Sequence, residues 1–329
     1  MLAGTSFILS RYKLQNEDVR LRLLYISDLH YSLGPQEPMR PELRKYLSWA
    51  QSMGETFAER LEGRLREEAE AIQHLTRSWI RNYGDSYDLV INGGDNALPL
   101  HRHEDRMAAA ETVWRDQLSQ FGERHFIALS GNHELGHGYN PDPESYRDLL
   151  LLRKRLFDRP VNLVGYGLET HEEVQLLSVD SELIHLAERF PDNPLFAAHI
   201  GEMKAVTETA LRHPGTTLLV THNTTRVQFW LRRNEMWQPF AENGRRLVLI
   251  GGHYHVPRFS KTQRGMEIHW AGGGSYPEPL LRFMTRVPFT GLLNHGAGAV
   301  EAVLQNGNLD LHHMPFKGVI LPLSDTEAA

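Results

Sequence analysis

Five short motifs rich in aspartate and histidine are distributed along the chain. They read SDLH, GGDN, GNHE, THN and GGHYH, and each follows directly on an apolar run. The chain has 18 histidines and no cysteine, so a metal site could use only nitrogen and oxygen ligands. Carboxylate, amide and imidazole groups bind divalent metals, which lower the pKa of water and act as Lewis acids. The residues that could take part are Asp28, His30, Asp95, Asn132, His133, His222, His253 and His255.

The apolar runs before these motifs have the composition of strands that are buried on both faces. They are LRLLYIS (21–27), YDLVING (87–93), HFIALSG (125–131), TTLLVTH (216–222) and RRLVLIGGH (245–253). The carboxyl ends of such strands form the ligand-binding edge of an open α/β sheet, so the five motifs should meet there. A polar turn or a structural histidine would explain any one motif alone, whereas five in this order favour a shared site.

The remaining patterns indicate one domain over residues 1–329. Apolar residues at helical spacing predict a helical insertion at about 31–83, and further helices are expected around 104–121 and 143–157. Additional strands are expected at 161–165, 174–180 and 266–274, and the Asn-Gly pair within 298–313 favours a hairpin. The Gly/Pro-rich stretch 272–299 resembles a long loop, and the C-terminal part is strand-rich. No repeat or linker divides the chain.

Composition makes a nucleic-acid partner unlikely, without excluding one, and it favours a soluble protein. Hydrophobic residues make up 41% and charged residues 23% of the chain, as in soluble globular proteins. The net charge of −6 provides no global basic field for nucleic acid or anionic lipid. The N-terminus is a poor signal peptide, and no apolar run is long enough to span a bilayer. We therefore expect a cytoplasmic protein with no membrane span.

The chain resembles the calcineurin-like metallophosphoesterases in the order of its motifs. That order is Asp28-x-His30, Gly94-Asp95, Gly131-Asn132-His133-Glu134, His222 and Gly252-His253-x-His255. The resemblance covers residues 28–255 and fills every metal-ligand position of the family pattern. It implies an α/β fold of four layers, in which two mixed β-sheets are flanked by helices and the metal site lies at the carboxyl edge of the strands.

The resemblance also implies a binuclear centre of two divalent metal ions, which could be manganese, iron or zinc. One ion would be held by Asp28, His30, Asp95 and His255, and the other by Asp95, Asn132, His222 and His253. Asp95 would thus bridge the ions, and His133 would lie beside them without ligating either. The implied activity is metal-dependent hydrolysis of a phosphate mono- or diester. A hydroxide shared by the two metals would attack phosphorus, and His133 would assist the leaving group.

Two departures separate the chain from the Ser/Thr protein phosphatases, in which the spelling GNHE is common. That branch carries Gly-Asp-x-x-Asp-Arg-Gly, whereas this chain reads GDNALPL, with Leu98 in place of the second aspartate. The protein phosphatases also carry His-Gly-Gly, whereas in this chain His222 is followed by Asn223 and Thr224. A close relationship to protein phosphatases is therefore rejected. The first departure leaves His133 without its usual orienting carboxylate.

The sequence leaves other questions open. The expected partner is a small or exposed phosphate-ester substrate, and the oligomeric state is not indicated. A DNA nuclease of the double-strand-break repair type shares the ligand order, although the acidic chain shows neither a capping domain nor a basic surface. A non-catalytic scaffold of the same fold should have lost ligands, and none is lost here. Substrate contacts could come from Arg102, although HRHEDR also fits a solvated helix start, or from His137 and Tyr139 beyond GNHE.

Overall fold

The computed structural model describes twelve segments of the chain. They are residues 20–29, 87–97, 103–121, 126–137, 140–156, 167–171, 174–237, 245–254, 258–261, 266–271, 298–305 and 308–315. The helices in these segments are α1 (His103–Phe121), α2 (Pro143–Leu156), α3 (Ser181–Arg189), α4 (Pro194–Ala210) and α5 (Thr224–Arg233). The strands are β1 (Arg20–Ile26), β2 (Leu89–Asn92), β3 (Phe126–Ala128), β4 (Gly136–His137), β5 (Asn140–Pro141), β6 (Gly167–His171), β7 (Val174–Ser178), β8 (Thr216–Val220), β9 (Leu247–Gly251), β10 (Arg258–Lys261), β11 (Glu267–Trp270), β12 (Gly298–Gln305) and β13 (Asn308–Pro315).

Two mixed sheets form the centre of the fold, and each has parallel strands flanked by antiparallel ones. The first has the order β13-β12-β1-β2-β3, in which β1, β2 and β3 are parallel. The second has the order β10-β11-β9-β8-β7-β6, in which β11, β9, β8 and β7 are parallel. Strands β4 and β5 pair separately next to GNHE. The parallel strands include all five that precede the polar motifs.

Alternate residues of the central strands face two different apolar cores. In β1, Leu23 and Tyr25 pack with residues of the second sheet such as Leu218 and Ile250, and they form the layer between the sheets. Their neighbours Leu24 and Ile26 face the other way, into the core that contains helix residues. Burying such side chains contributes about 1.5–3 kcal/mol each. The four-layer α/β/β/α architecture expected from the sequence is therefore confirmed.

Most predicted elements near the motifs are found within one or two residues of their expected positions. The hairpin expected within 298–313 is present, because β12 and β13 pair antiparallel from Gly298↔Pro315 to Gln305↔Asn308. The helical insertion at 31–83, the strand at 161–165 and almost all of the loop at 272–299 lie outside the described residues. Helices α3, α4 and α5 were not predicted. Within the described segments, no helix has the length and apolar character to cross a membrane.

Candidate metal centre

The polar motifs converge at one edge of the two stacked sheets. Asp28 follows β1, Asp95 follows β2 and Asn132 follows β3, all in the first sheet. His222 follows β8 and His253 follows β9, in the second sheet. Because parallel strands end at the same edge, the fold brings ligands from both sheets to one place.

Four of the predicted ligands form a tight cluster of donor atoms. Asn132 Oδ1 lies 2.9 Å from His253 Nδ1 and 3.2 Å from His222 Nε2. His222 Nε2 is also 3.2 Å from Asp95 Oδ2. One ligand atom each from Asp95, His222 and His253 lie within 4.8 Å of one another. These four residues are the set that the sequence analysis assigned to the second metal.

Hydrogen bonding orients the His222 ring for ligation through Nε2. Its Nδ1 lies 2.9 Å from the carbonyl oxygen of Gly93, which can only accept a hydrogen bond, so Nδ1 carries the proton. The other ring nitrogen is thereby left to face Asp95 and Asn132. A backbone partner of this kind commonly fixes the ring of a metal-binding histidine.

Charge is concentrated in this buried cluster. Asp95 is 1% exposed and His222 is fully buried. Burial raises the pKa of Asp95, with His222 opposing it. Burial by itself would lower the pKa of His222, but the carboxylates of Asp95, Asp28 and Glu182 outweigh it and raise that pKa. The cluster therefore combines a buried carboxylate with a buried imidazole, and a divalent cation could bind both.

The donor set fits a divalent metal. It offers two imidazole nitrogens, an amide oxygen and a carboxylate, which suit manganese, iron and zinc. Among the described residues, Asp95 Oδ2 is buried and accepts no hydrogen bond, although the His222 and His133 rings lie near it. A buried carboxylate oxygen with an unused lone pair is well placed to bind a cation.

Backbone strain is confined largely to these ligands. Only four non-glycine residues of the described segments have positive φ, and three are predicted ligands: Asp28 (59°), Asp95 (54°) and His253 (71°). Such conformations cost about 1–3 kcal/mol and persist where the surroundings enforce them. Here the surroundings include the His253 N–H, which donates to the Asp28 carboxylate at 3.0 Å. The sequence carried no signal for this strain.

The ligand-bearing loops approach one another closely enough to require glycine. A Cβ on Gly252 would lie 2.3 Å from Asp28 Oδ2, and one on Gly131 would lie 2.1 Å from the Asp95 nitrogen. Both positions bring a backbone segment against a predicted ligand on another strand. These glycines therefore set the distance between the ligand-bearing loops.

His133 lies beside the cluster and not within it. Its backbone N–H donates to Asp95 Oδ1 at 2.9 Å, and its Nε2 is 3.7 Å from Asp95 Oδ2. Its side chain is 13% exposed, so it reaches toward solvent while Asp95 does not. Leu98, at the position where protein phosphatases carry an orienting carboxylate, lies outside the described residues. Within the described segments, the carboxylate of Asp95 lies near the His133 ring.

The sequence analysis assigned no role to Glu134, whose carboxylate organises the site. It is fully buried and accepts backbone hydrogen bonds of 2.5–3.0 Å from Asp95, Asn96, Ala97 and Gly131. One carboxylate thus ties the loop after β2 to the loop after β3. Its position inside GNHE was the only available signal.

Two further buried acids, Asp180 and Glu182, follow β7 and connect the site to the helices. Asp180 accepts a hydrogen bond from Ser130 at 3.1 Å, and Ser130 accepts one from the fully buried Arg153 at 2.8 Å. Burial raises the pKa of Asp180 to about 6, with Arg153 opposing it. Burial by itself would raise the pKa of Glu182, but nearby cations, Arg226 above all, lower it to about 2. These pairs anchor helices α2, α3 and α5 beneath the ligand loops.

Several predicted positions cannot be placed in the site. His30 and His255, both expected to ligate the first metal, lie outside the described residues, as do Arg102 and Tyr139. His137 belongs to β4, and its side chain is not described. The helix start expected at HRHEDR is present, since α1 begins at His103. Asp28, Asp95, Asn132, His133, His222 and His253 are the predicted site residues that the structure describes.

The sequence matches the model of a known protein family. The family model described as Metallophos, calcineurin-like phosphoesterase, matches residues 21–257. A search of curated protein sequences finds no significant match.

Similar solved structures include a purple acid phosphatase from yellow lupin, Lupinus luteus (13% identity, TM-score 0.47, covering 91% of this chain and 52% of the other). A dimetal phosphatase from Danio rerio (12% identity, TM-score 0.47) is matched over 90% of this chain and 99% of its own. A 5′-nucleotidase from Candida albicans (14% identity, TM-score 0.41) is matched over 90% and 52%. The chain spans about half the length of the first and third proteins. At these identities and TM-scores, the similarities identify no substrate.

Proposed function

Because this chain belongs to the calcineurin-like phosphoesterase family, and so is a metal-dependent phosphoric ester hydrolase, we propose that it hydrolyses a small or exposed phosphate mono- or diester at a binuclear metal centre. The observation that carries the proposal is the convergence of Asp95, Asn132, His222 and His253 donor atoms at the junction of the two sheets. Two imidazoles, an amide oxygen and a carboxylate at one buried place form a ligand set that suits a divalent cation.

The proposed ligands would divide between two ions, with Asp95 available to both. Asp95, Asn132, His222 and His253 would hold one ion, and Asp28, His30, Asp95 and His255 would hold the other. When bound, the two ions would supply an activated water nucleophile and positive charge for the phosphoryl oxygens. The strained backbone of Asp28 and Asp95 would hold both carboxylates in position for metal binding.

His133 is the proposed catalytic residue and acts on the leaving group. Its partly exposed ring lies next to the Asp95 carboxylate, whereas Asn132 faces the histidine nitrogens. A protonated His133 could donate its proton to the departing alkoxide, because imidazole exchanges protons near neutral pH.

A substrate panel on metal-stripped protein tests the proposal. Nitrophenyl and alkyl phosphate mono- and diesters, together with duplex DNA, are assayed before and after manganese is restored. We expect small-ester hydrolysis to appear only after manganese addition and to be lost in Asp95→Asn. The exposed Asp192→Asn variant should retain it. Metal-loaded protein that hydrolyses no ester would refute the proposal, and DNA cleavage stronger than small-ester hydrolysis would make a nuclease the better assignment.

Other expectations from the sequence remain predictions. They are the choice among manganese, iron and zinc, the cytoplasmic location, and the organisation of residues 1–329 as one domain. Elemental analysis of protein purified without added metal would address the first.

A further inference from the structure

An exposed aromatic side chain lies beside the metal-ligand cluster. Tyr254 follows His253 at the carboxyl end of β9, and the centroids of the two rings are 5.1 Å apart, with their planes at 76°. The His253 ring in turn contacts the His222 ring at 5.2 Å. His222 is fully buried, whereas Tyr254 is 44% exposed. Tyr254 is therefore the accessible end of a row of rings that begins in the cluster.

The backbone fixes Tyr254 next to His253. The Tyr254 N–H donates to the Gly252 carbonyl at 2.9 Å, which is the hydrogen bond of a three-residue γ-turn. His253, the central residue of this turn, has a φ of 71°, which corresponds to the rare and strained form. The turn reverses the chain at His253 and keeps the following side chain close to the site.

Side-chain contacts also hold the Tyr254 ring. Its hydroxyl donates to Thr225 Oγ1 of α5 at 2.7 Å. Its ring packs edge-to-face against that of Trp270, with the ring centroids 6.2 Å apart and the planes at 85°. Trp270 is itself held, since its Nε1 donates to Thr224 Oγ1 at 2.9 Å. A ring that is already ordered loses little conformational entropy when a ligand binds to it.

We propose that Tyr254, supported by Trp270, forms a subsite for the organic group of the substrate and selects phosphate esters in which that group is flat and aromatic, nucleosides included. This inference rests on the proposed function and specifies its substrate class. A phosphate bound at the His222–His253 cluster must extend its ester group toward accessible surface, and within the described segments Tyr254 is an exposed ring that contacts this cluster. Pairs of aromatic rings attract one another more strongly than the area they bury would account for.

The test compares substrates that differ in flatness but not in leaving-group chemistry. Benzyl and cyclohexylmethyl phosphates, each as monoester and methyl diester, both release a primary alcohol. For the metal-loaded enzyme, we expect a preference for the benzyl ester in kcat/KM. Tyr254→Ala should lower the benzyl-to-cyclohexylmethyl ratio by about 3- to 10-fold. Tyr254→Phe, which keeps the ring but loses the bond to Thr225, should retain the ratio within about twofold.

Binding provides a readout that is independent of turnover. The affinity ratio of benzylphosphonate to cyclohexylmethylphosphonate, measured by calorimetry, should fall by the same factor in Tyr254→Ala. Phe259→Ala is the matched aromatic control, because Phe259 is 52% exposed and contacts His269, which is not a predicted ligand. This control should change neither ratio.

The outcomes separate the subsite from the proposed function. Unchanged ratios in Tyr254→Ala, with the esters still hydrolysed, would overturn the subsite alone. Loss of bound metal in Tyr254→Ala would also overturn it, because Tyr254 would then support His253 and not the substrate. If the wild-type enzyme hydrolyses no ester, the proposed function fails, and phosphonate binding decides on the subsite.

Discussion

The carboxylate of Glu134 accepts a hydrogen bond from the backbone N–H of Asp95 at 2.9 Å, so an acid outside the proposed ligand set fixes the residue that would bridge the metals. The same carboxylate accepts from Asn96, Ala97 and Gly131. Glu134 therefore connects the loop after β2 to the loop after β3 and holds both in place.

Glu134→Gln should destabilise the fold and weaken metal binding together. The amide that replaces one carboxylate oxygen is a donor, and it would face backbone N–H groups that then lose their acceptor. Buried donors without partners cost about 1–3 kcal/mol each, so we expect a loss of about 2 kcal/mol or more in the free energy of unfolding. Urea unfolding and elemental analysis check both effects. Glu144→Gln, at an exposed position of α2, should change stability by less than about 0.5 kcal/mol.

Asp95→Asn should remove most of the bound metal. The wild-type protein loaded with manganese should approach two equivalents per chain, because Asp95 is proposed to be shared by both ions. An asparagine keeps the size of the side chain but cannot supply two anionic oxygens. Elemental analysis after gel filtration gives the stoichiometry, with Asp192→Asn as the control. Wild-type protein that stays near zero equivalents would contradict the binuclear proposal.

A pair of histidines between the two sheets should make the fold sensitive to acid. His269 Nδ1 of β11 lies 3.3 Å from His313 Nε2 of β13, and the two rings stack with their centroids 5.4 Å apart. Burial first, then His313 and Arg246, lowers the pKa of His269 to about 4, while Glu267 opposes the shift. Burial also lowers the pKa of His313.

The sign of the effect follows from these depressed pKa values. An unfolded histidine binds a proton near pH 6.5, whereas folded His269 resists it until about pH 4. The stability that neutral His269 contributes is thus present above about pH 6.5 and is lost as the pH falls toward 4. The free energy of unfolding in urea should drop less between pH 7 and pH 5 in His269→Gln than in the wild type. The exposed His312→Gln variant should show the wild-type drop.

The strands around the site were predictable, whereas several helices were not. Continuous apolar runs such as LRLLYIS are typical of strands that are buried on both faces, and runs of this length are short for helices. Helix α4 was not predicted because exposed alanines lie between its buried residues, which include Phe196 and Met203. The apolar residues therefore show no clear helical spacing. Its signals were the cap: Asn193 accepts from the Leu195 N–H, and Pro194 is the first helical residue.

The ligand motifs were visible in the sequence, but what holds them was not. Asp28, Asp95 and His253 are recognisable by type, yet their positive φ angles depend on contacts between loops of different sheets. The four amide donors to Glu134 are likewise brought together only by the tertiary fold. Local sequence therefore predicts which residues could ligate a metal, and the packing of the two sheets determines their geometry.

His133→Ala should reduce turnover far more than metal binding. The side chain lies 3.7 Å from Asp95 Oδ2 and is partly exposed, so its removal leaves the donor atoms of Asn132, His222 and His253 in place. If His133 protonates the leaving group, kcat should fall by about 10²–10⁴. Metal content, measured by elemental analysis, should barely change. The exposed His312→Ala variant is the matched control and should retain activity.

The size of the loss should depend on the leaving group. Nitrophenolate departs with little need for protonation, so the loss in His133→Ala should shrink for a nitrophenyl ester and grow for an alkyl ester. Equal losses for both esters would indicate that His133 binds the phosphate or stabilises its charge. Metal loss that parallels the loss of activity would instead make His133 part of the metal site. The hydrogen bond from the His133 N–H to Asp95 Oδ1 survives in the alanine variant, so such a metal loss could be attributed to the ring itself.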